Sequence, residues 1–129
     1  MGDKPTPRPT DAELAILRVL WERGPSTVRE VHDAVSRTHD SGYTTILKLM
    51  QIMTDKGLVV RDESNRAHVY KTSLSEQRTQ RQLLGDLIER AFGGSPAKLV
   101  MQALSATKAS AEELTAIRQV LDQMEEEAQ

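Results

Sequence analysis

Thr27-Val28-Arg29-Glu30-Val31, then Tyr43-Thr44-Thr45-Ile46-Leu47-Lys48-Leu49-Met50-Gln51-Ile52-Met53-Thr54-Asp55-Lys56-Gly57-Leu58-Val59-Val60, then Ala67-His68-Val69-Tyr70: these runs, within Ser26 to Tyr70, decide the fold. Thr27 and Glu30 stand in capping-box register, and Val28, Val31 and Val35 keep helical spacing for about two turns. Thr38-His39-Asp40-Ser41-Gly42 breaks that pattern. From Tyr43 to Lys56 the period resumes: Ile46, Leu49, Met50 and Met53 point one way, and Thr44, Lys48, Gln51 and Asp55 the other. Gly57 closes the helix where a left-handed residue is expected. Leu58-Val59-Val60 and Ala67-His68-Val69-Tyr70 are strand-like, and the polar tip Asp62-Glu63-Ser64-Asn65-Arg66 is longer than a two-residue hairpin turn. Helix, turn, helix and hairpin in that order describe a winged helix, which lays its second helix in a DNA major groove.

Working outward, Thr10-Asp11-Ala12-Glu13 is another capping box. It opens a helix whose apolar stripe is Leu14, Leu17 and Trp21, widened by Ile16 and Leu20, and which Gly24-Pro25 ends. Trp21, the only Trp, is expected to anchor the core. Before Thr10, prolines 5, 7 and 9 keep residues 1–9 out of a helix, as a disordered leader.

Beyond the hairpin, Ser73-Leu74-Ser75-Glu76 restarts a helix with the stripe Leu83, Leu84, Leu87, Ile88 and Phe92, up to Gly93-Gly94. Ser95-Pro96 caps a shorter one through Leu99, Val100, Ala103 and Leu104. Ser110-Ala111-Glu112-Glu113 caps the last, with Leu114, Ile117, Leu121 and Met124 at three- and four-residue spacing. Glu125-Glu126-Glu127 reads as a frayed, solvated end. Three amphipathic helices with Phe92 as their one aromatic make a thin core alone, so their stripes are expected to close on a second copy. Leu84, Leu87, Ile88, Phe92, Leu99, Val100, Leu104, Leu114, Ile117, Leu121 and Met124 are the expected dimerisation residues.

The architecture read from the chain is therefore mainly α with a small β wing: leader 1–9, winged-helix DNA-binding domain 10–72, helical dimerisation domain 73–129. At 129 residues it fits one reading head and an appendage, not two full domains. No run of eighteen apolar positions and no export leader is visible, so a cytoplasmic protein without membrane insertion is expected. The chain has no cysteine, and His32, His39 and His68 lack ligand spacing; neither a metal nor any other cofactor is implied. No nucleophile-base pair, phosphate loop or carboxylate cluster suggests an enzyme. Up to Thr72 there are 11 basic against 10 acidic residues, and beyond it 6 against 9. A head so near neutral must gather its positive charge on one face, and a dimer would double its phosphate contacts.

With these residues placed, the chain resembles the penicillinase-repressor family, the BlaI/MecI/CopY group of bacterial transcriptional repressors, from Thr10 to about Met124. The resemblance is carried by Glu13-Leu14-Ala15-Ile16-Leu17 with Leu20-Trp21, by Val28-Arg29-Glu30-Val31, and above all by Tyr43-Thr44-Thr45-Ile46 leading through Leu49 to Lys56-Gly57-Leu58-Val59. Arg66-Ala67-His68-Val69-Tyr70 matches the second wing strand, and Gly93-Gly94 before Leu99-Val100 matches the junction in the dimerisation region. What the resemblance implies is a homodimeric repressor on a palindromic operator of double-stranded DNA, with release commonly triggered by a membrane-bound metallopeptidase sensor that leads to cleavage of the repressor. Two departures stand out. The β-lactam-responsive members are cut at an Asn-Phe pair, where this chain reads Val100-Met101-Gln102-Ala103, and the copper-responsive members carry cysteine pairs that this chain lacks.

If Tyr43 to Lys56 is the recognition helix, Thr44 and Thr45 hydroxyls bond bases or phosphates, and their methyls suit thymine C5-methyl groups. Lys48 reaches a guanine or a phosphate, Gln51 bonds adenine, and Leu47 is either a thymine contact or core. Tyr43 is expected to touch phosphate through its hydroxyl, its ring packing under the helix start. Arg29 at the start of the second helix, with Arg66, His68 and Lys71 around the wing, would clamp the backbone. The bland alternative is that these polar residues are solvated surface and His68 a half-buried strand residue. The competing function is a winged helix used as a protein-interaction adaptor without a specific DNA target.

Overall fold

Thr10 accepts a hydrogen bond from the Glu13 amide through its hydroxyl, and the Glu13 carboxylate accepts one from the Thr10 amide, so the first helix, α1 (Asp11–Arg23), starts on the expected capping box. The same exchange between Thr27 and Glu30 opens α2 (Val28–Val35), and α3 (Tyr43–Lys56) follows after a short turn. These details come from a computed structural model, which describes residues 8–129; most of the 1–9 leader lies outside the described residues.

Between α1 and α2 lies a strand too short to be legible in the sequence, β1 (Ser26–Thr27). It joins β2 (Val59–Asp62) and β3 (Val69–Thr72) in a three-stranded antiparallel sheet of order β1-β3-β2. The register pairs Ser26 with Tyr70 on one side of β3, and Val59 with Thr72, Val60 with Lys71 and Arg61 with Tyr70 on the other. The wing is thereby tied to the root of α2.

One apolar core lies beneath these elements, made of Ile16, Leu17 and Leu20 from α1, the three valines of α2, Ile46, Met50 and Met53 from α3, and Leu58, Val59 and Tyr70 from the sheet. Trp21 departs from expectation. It is half-buried and packs against the core from the rim, its indole Nε1 donating to the Leu74 carbonyl at 3.1 Å. That bond ties down the segment before α4 (Glu76–Ala91), where Thr79 is buried.

The chain divides into two compact units at Leu83/Leu84, within α4. The second unit holds the rest of α4, α5 (Pro96–Ala106) and α6 (Ala111–Glu127). Ser95 caps α5, and Ser110 with Glu113 forms a third capping box at the start of α6. Neither α5 nor α6 contains a buried residue. Glu125 to Glu127 continue α6 and do not fray, although they are exposed as expected. No helix among the described residues is long and apolar enough to cross a membrane.

Candidate nucleic-acid interface

The core pins α3 by one side only. Ile46, Met50 and Met53 are fully enclosed, while Thr44, Thr45, Lys48, Gln51 and Asp55 are exposed along the opposite side. Leu47, left open between core and groove, is half-buried and packs against the core.

Both ends of α3 are held. At its C-terminus Gly57 adopts φ +82°, the left-handed conformation that ends a helix cheaply only when there is no Cβ, and its amide donates to Thr54 and Met53 carbonyls. One residue earlier, Lys56 Nζ lies 2.9 and 3.0 Å from the two carboxylate oxygens of Glu13, whose side chain is 2% exposed. Burial pushes the Glu13 pKa up, but the Thr10 amide and the Lys56 ammonium outweigh it and hold the group below the ordinary 4.5. The charged pair is thus preserved inside the fold and fixes the end of α3 against the start of α1.

The N-terminal end is held by aromatic and cationic groups of α2. The Tyr43 ring, 42% exposed, has the Arg29 guanidinium carbon 5.7 Å from its centroid and the His32 ring edge-on at 5.9 Å and 72°. His32 Nε2 is 3.0 Å from the Ser41 carbonyl, linking α2 to the turn that launches α3. His32 escaped the sequence reading. Its one signal was the three-residue spacing from Arg29, which puts both on one face of a helix. Gly42, at the N-cap of α3, supplies no side-chain acceptor for the first amides.

At the wing, Ser64 donates its amide to Asp62 Oδ1 at 2.9 Å, and its hydroxyl bonds the same oxygen, shaping the tip and holding the Asp62 pKa down. Arg61 is occupied, bonded to the Tyr70 hydroxyl and 2.6 Å from Glu63, which raises its pKa. Arg66, His68 and Lys71 are exposed. His68 precedes β3 and is exposed, against the half-buried alternative. Among the described residues no carboxylate lies within ion-pair distance of Lys48, Arg66 or Lys71. Lys71 nevertheless lies near enough to Asp62 to help hold that carboxyl down.

In the second unit Leu84, Leu87, Val100, Leu104, Leu114, Leu121 and Met124 are exposed, and Ile88, Phe92, Leu99 and Ile117 are half-buried. The apolar stripes are present and largely uncovered.

Three comparisons bear on this arrangement. A family model described as penicillinase repressor matches residues 9–123. A Mycobacterium tuberculosis protein named transcriptional regulator BlaI is 33% identical over 118 residues, covering 89% of this chain and 83% of its own; a Bacillus licheniformis penicillinase repressor is 24% identical over 120 residues, covering 93% and 94%. Among solved structures, B. licheniformis BlaI in its monomeric form, in complex with the blaP half-operator, is similar with a TM-score of 0.51 and 27% identity, over 58% of this chain and 92% of that one. The DNA-binding domain of the repressor BlaI is similar to the same degree, with a TM-score of 0.51.

Proposed function

This chain belongs to the penicillinase repressor family of winged-helix, DNA-binding transcriptional repressors, which are not enzymes, and on that premise we propose that it represses transcription as a homodimer on a palindromic operator, α3 reading the major groove of each half-site. The observation that carries the reading is the two-sidedness of α3: core on one side, an exposed row of Thr44, Thr45, Lys48 and Gln51 on the other, on a helix clamped at both ends. Thr45, Lys48 and Gln51 meet base edges, and Thr44 with the open first-turn amides meets phosphate. Arg29 and Tyr43 grip the backbone beside α3, while Arg66, His68 and Lys71 grip it from the wing. The second unit contributes register, because two heads joined through it bind half-sites at a fixed spacing. Release by a membrane metallopeptidase sensor requires a scissile bond other than an Asn-Phe pair, since Val100-Met101-Gln102-Ala103 occupies α5; the length of the repressor after induction tests that step.

The test of the repressor reading is a salt titration of binding with duplex selected by the full-length protein from a random-sequence pool. Affinity is expected to fall steeply with salt, and Lys48→Ala to weaken the selected palindrome far more than random duplex. Equal loss on both DNAs would make Lys48 a phosphate contact, and no salt-sensitive binding to any duplex would hand the winged helix to a protein partner instead.

A further inference from the structure

Every aliphatic or thioether side chain of α3 has a place in the core except one. Ile46, Met50 and Met53 are buried, and Leu47 and Leu49 pack against the core from its edge. Ile52 does neither: it is 37% exposed and is not among the described residues packed on that core. At about 100° per residue it falls about 40° from Lys48 and about 20° from Thr45, inside the exposed arc. At about 1.5 Å per residue it stands about 6 Å further along the axis than Lys48. A branched hydrocarbon thus sits in the row of side chains offered to the groove, where water solvates it poorly and α3 gains nothing in helix propensity from it.

We infer that Ile52 is a specificity residue, packing against the C5-methyl group of a thymine at the end of the half-site read by α3. The major groove presents one hydrocarbon group, the thymine methyl, and no hydrogen bond is available to an isoleucine there. Lys48, one turn away, sets the depth at which the helix sits, and Ile52 discriminates T·A from the other pairs by apolar contact alone. This rests on the DNA-reading proposal and adds to it a base preference.

The experiment uses the full-length protein and the duplex it selects from a random-sequence pool, with each thymine replaced in turn by deoxyuridine, which removes the methyl and keeps base pairing. At one thymine, repeated in both half-sites, wild-type affinity is expected to fall about four-fold per half-site, the worth of one buried methyl. Ile52→Ala is expected to lose that uracil penalty while keeping any penalty set by Thr45, and Ile52→Val to keep part of it. Circular dichroism should show both variants folded, since the side chain lies outside the core. If every uracil penalty survives in Ile52→Ala, or the wild type is indifferent to uracil throughout, the assignment is overturned and the repressor reading stands. A pool that yields no selected duplex overturns both.

Discussion

Glu13 and Lys56 lie 43 positions apart in the chain and within 3.0 Å in the fold. Their pairing was not legible in the sequence, because the capping box already accounted for Glu13 and a lysine before a C-capping glycine already accounted for Lys56. Only the packing of α1 on α3 brings them together. Removing the ammonium leaves a carboxylate in the interior with the Thr10 amide as its remaining donor, so Lys56→Met is expected to destabilise the first unit by about 3 kcal/mol in urea unfolding, the low end for breaking an internal ion pair because Lys56 is partly solvated. The pH dependence has a definite sign. The folded pKa of Glu13 lies below its unfolded value, so its stabilisation is complete above the ordinary carboxylate range and is lost as pH falls through the folded value. Glu13→Gln should therefore be less stable than wild type at pH 7 and converge with it in acid. Parallel unfolding curves at every pH would refute the pairing.

At the scale of elements, sequence and structure agree where the signal is local. The capping hydroxyls and carboxylates at Thr10/Glu13, Thr27/Glu30 and Ser110/Glu113 sit three residues apart, and a bond closed over three residues is written in the chain itself. The bounds of α3 were legible for the same reason, an amphipathic period ending in a glycine. What depended on distant partners was hidden: β1 exists only because Ser26 and Thr27 meet Tyr70 and Val69, and Trp21 lies at the rim because its indole N–H needs the Leu74 carbonyl. Two substitutions probe these elements. Gly57→Ala places a Cβ on a backbone with φ +82° and nothing within 4 Å, so its cost is conformational, about 1 kcal/mol, and Gly57→Asn should recover part of it. Trp21→Phe removes the donor to Leu74 and should cost about 1 kcal/mol, with faster amide exchange in the first turns of α4. Unchanged exchange there would mean that the bond does not hold α4.

For the whole molecule, the decisive quantity is the apolar surface that the second unit leaves in water. Its helices carry leucine, valine and methionine in helical register yet enclose no residue of α5 or α6, a poor return for ordering that many residues unless another surface covers them. A second copy is the partner already implied by the family resemblance, and it also answers the charge problem: a head with 11 basic and 10 acidic residues up to Thr72 gains affinity by binding twice. Linking two half-site events makes the second intramolecular and raises overall affinity by roughly 10²–10⁴. Leu121→Glu, on the exposed stripe of α6, adds a charge to a surface that the proposed dimer would have to keep dry. Sedimentation should show the wild type at twice the chain mass and the variant at one, and the wild-type Tm should rise with concentration while that of the variant does not. Binding to a single half-site should be unchanged, because α3 and the wing are untouched, while binding to the full palindrome drops toward the half-site value. A wild type that sediments as one chain at micromolar concentration, with a palindrome bound no more tightly than its half, would remove the second copy from the mechanism and leave the apolar stripes to a different partner.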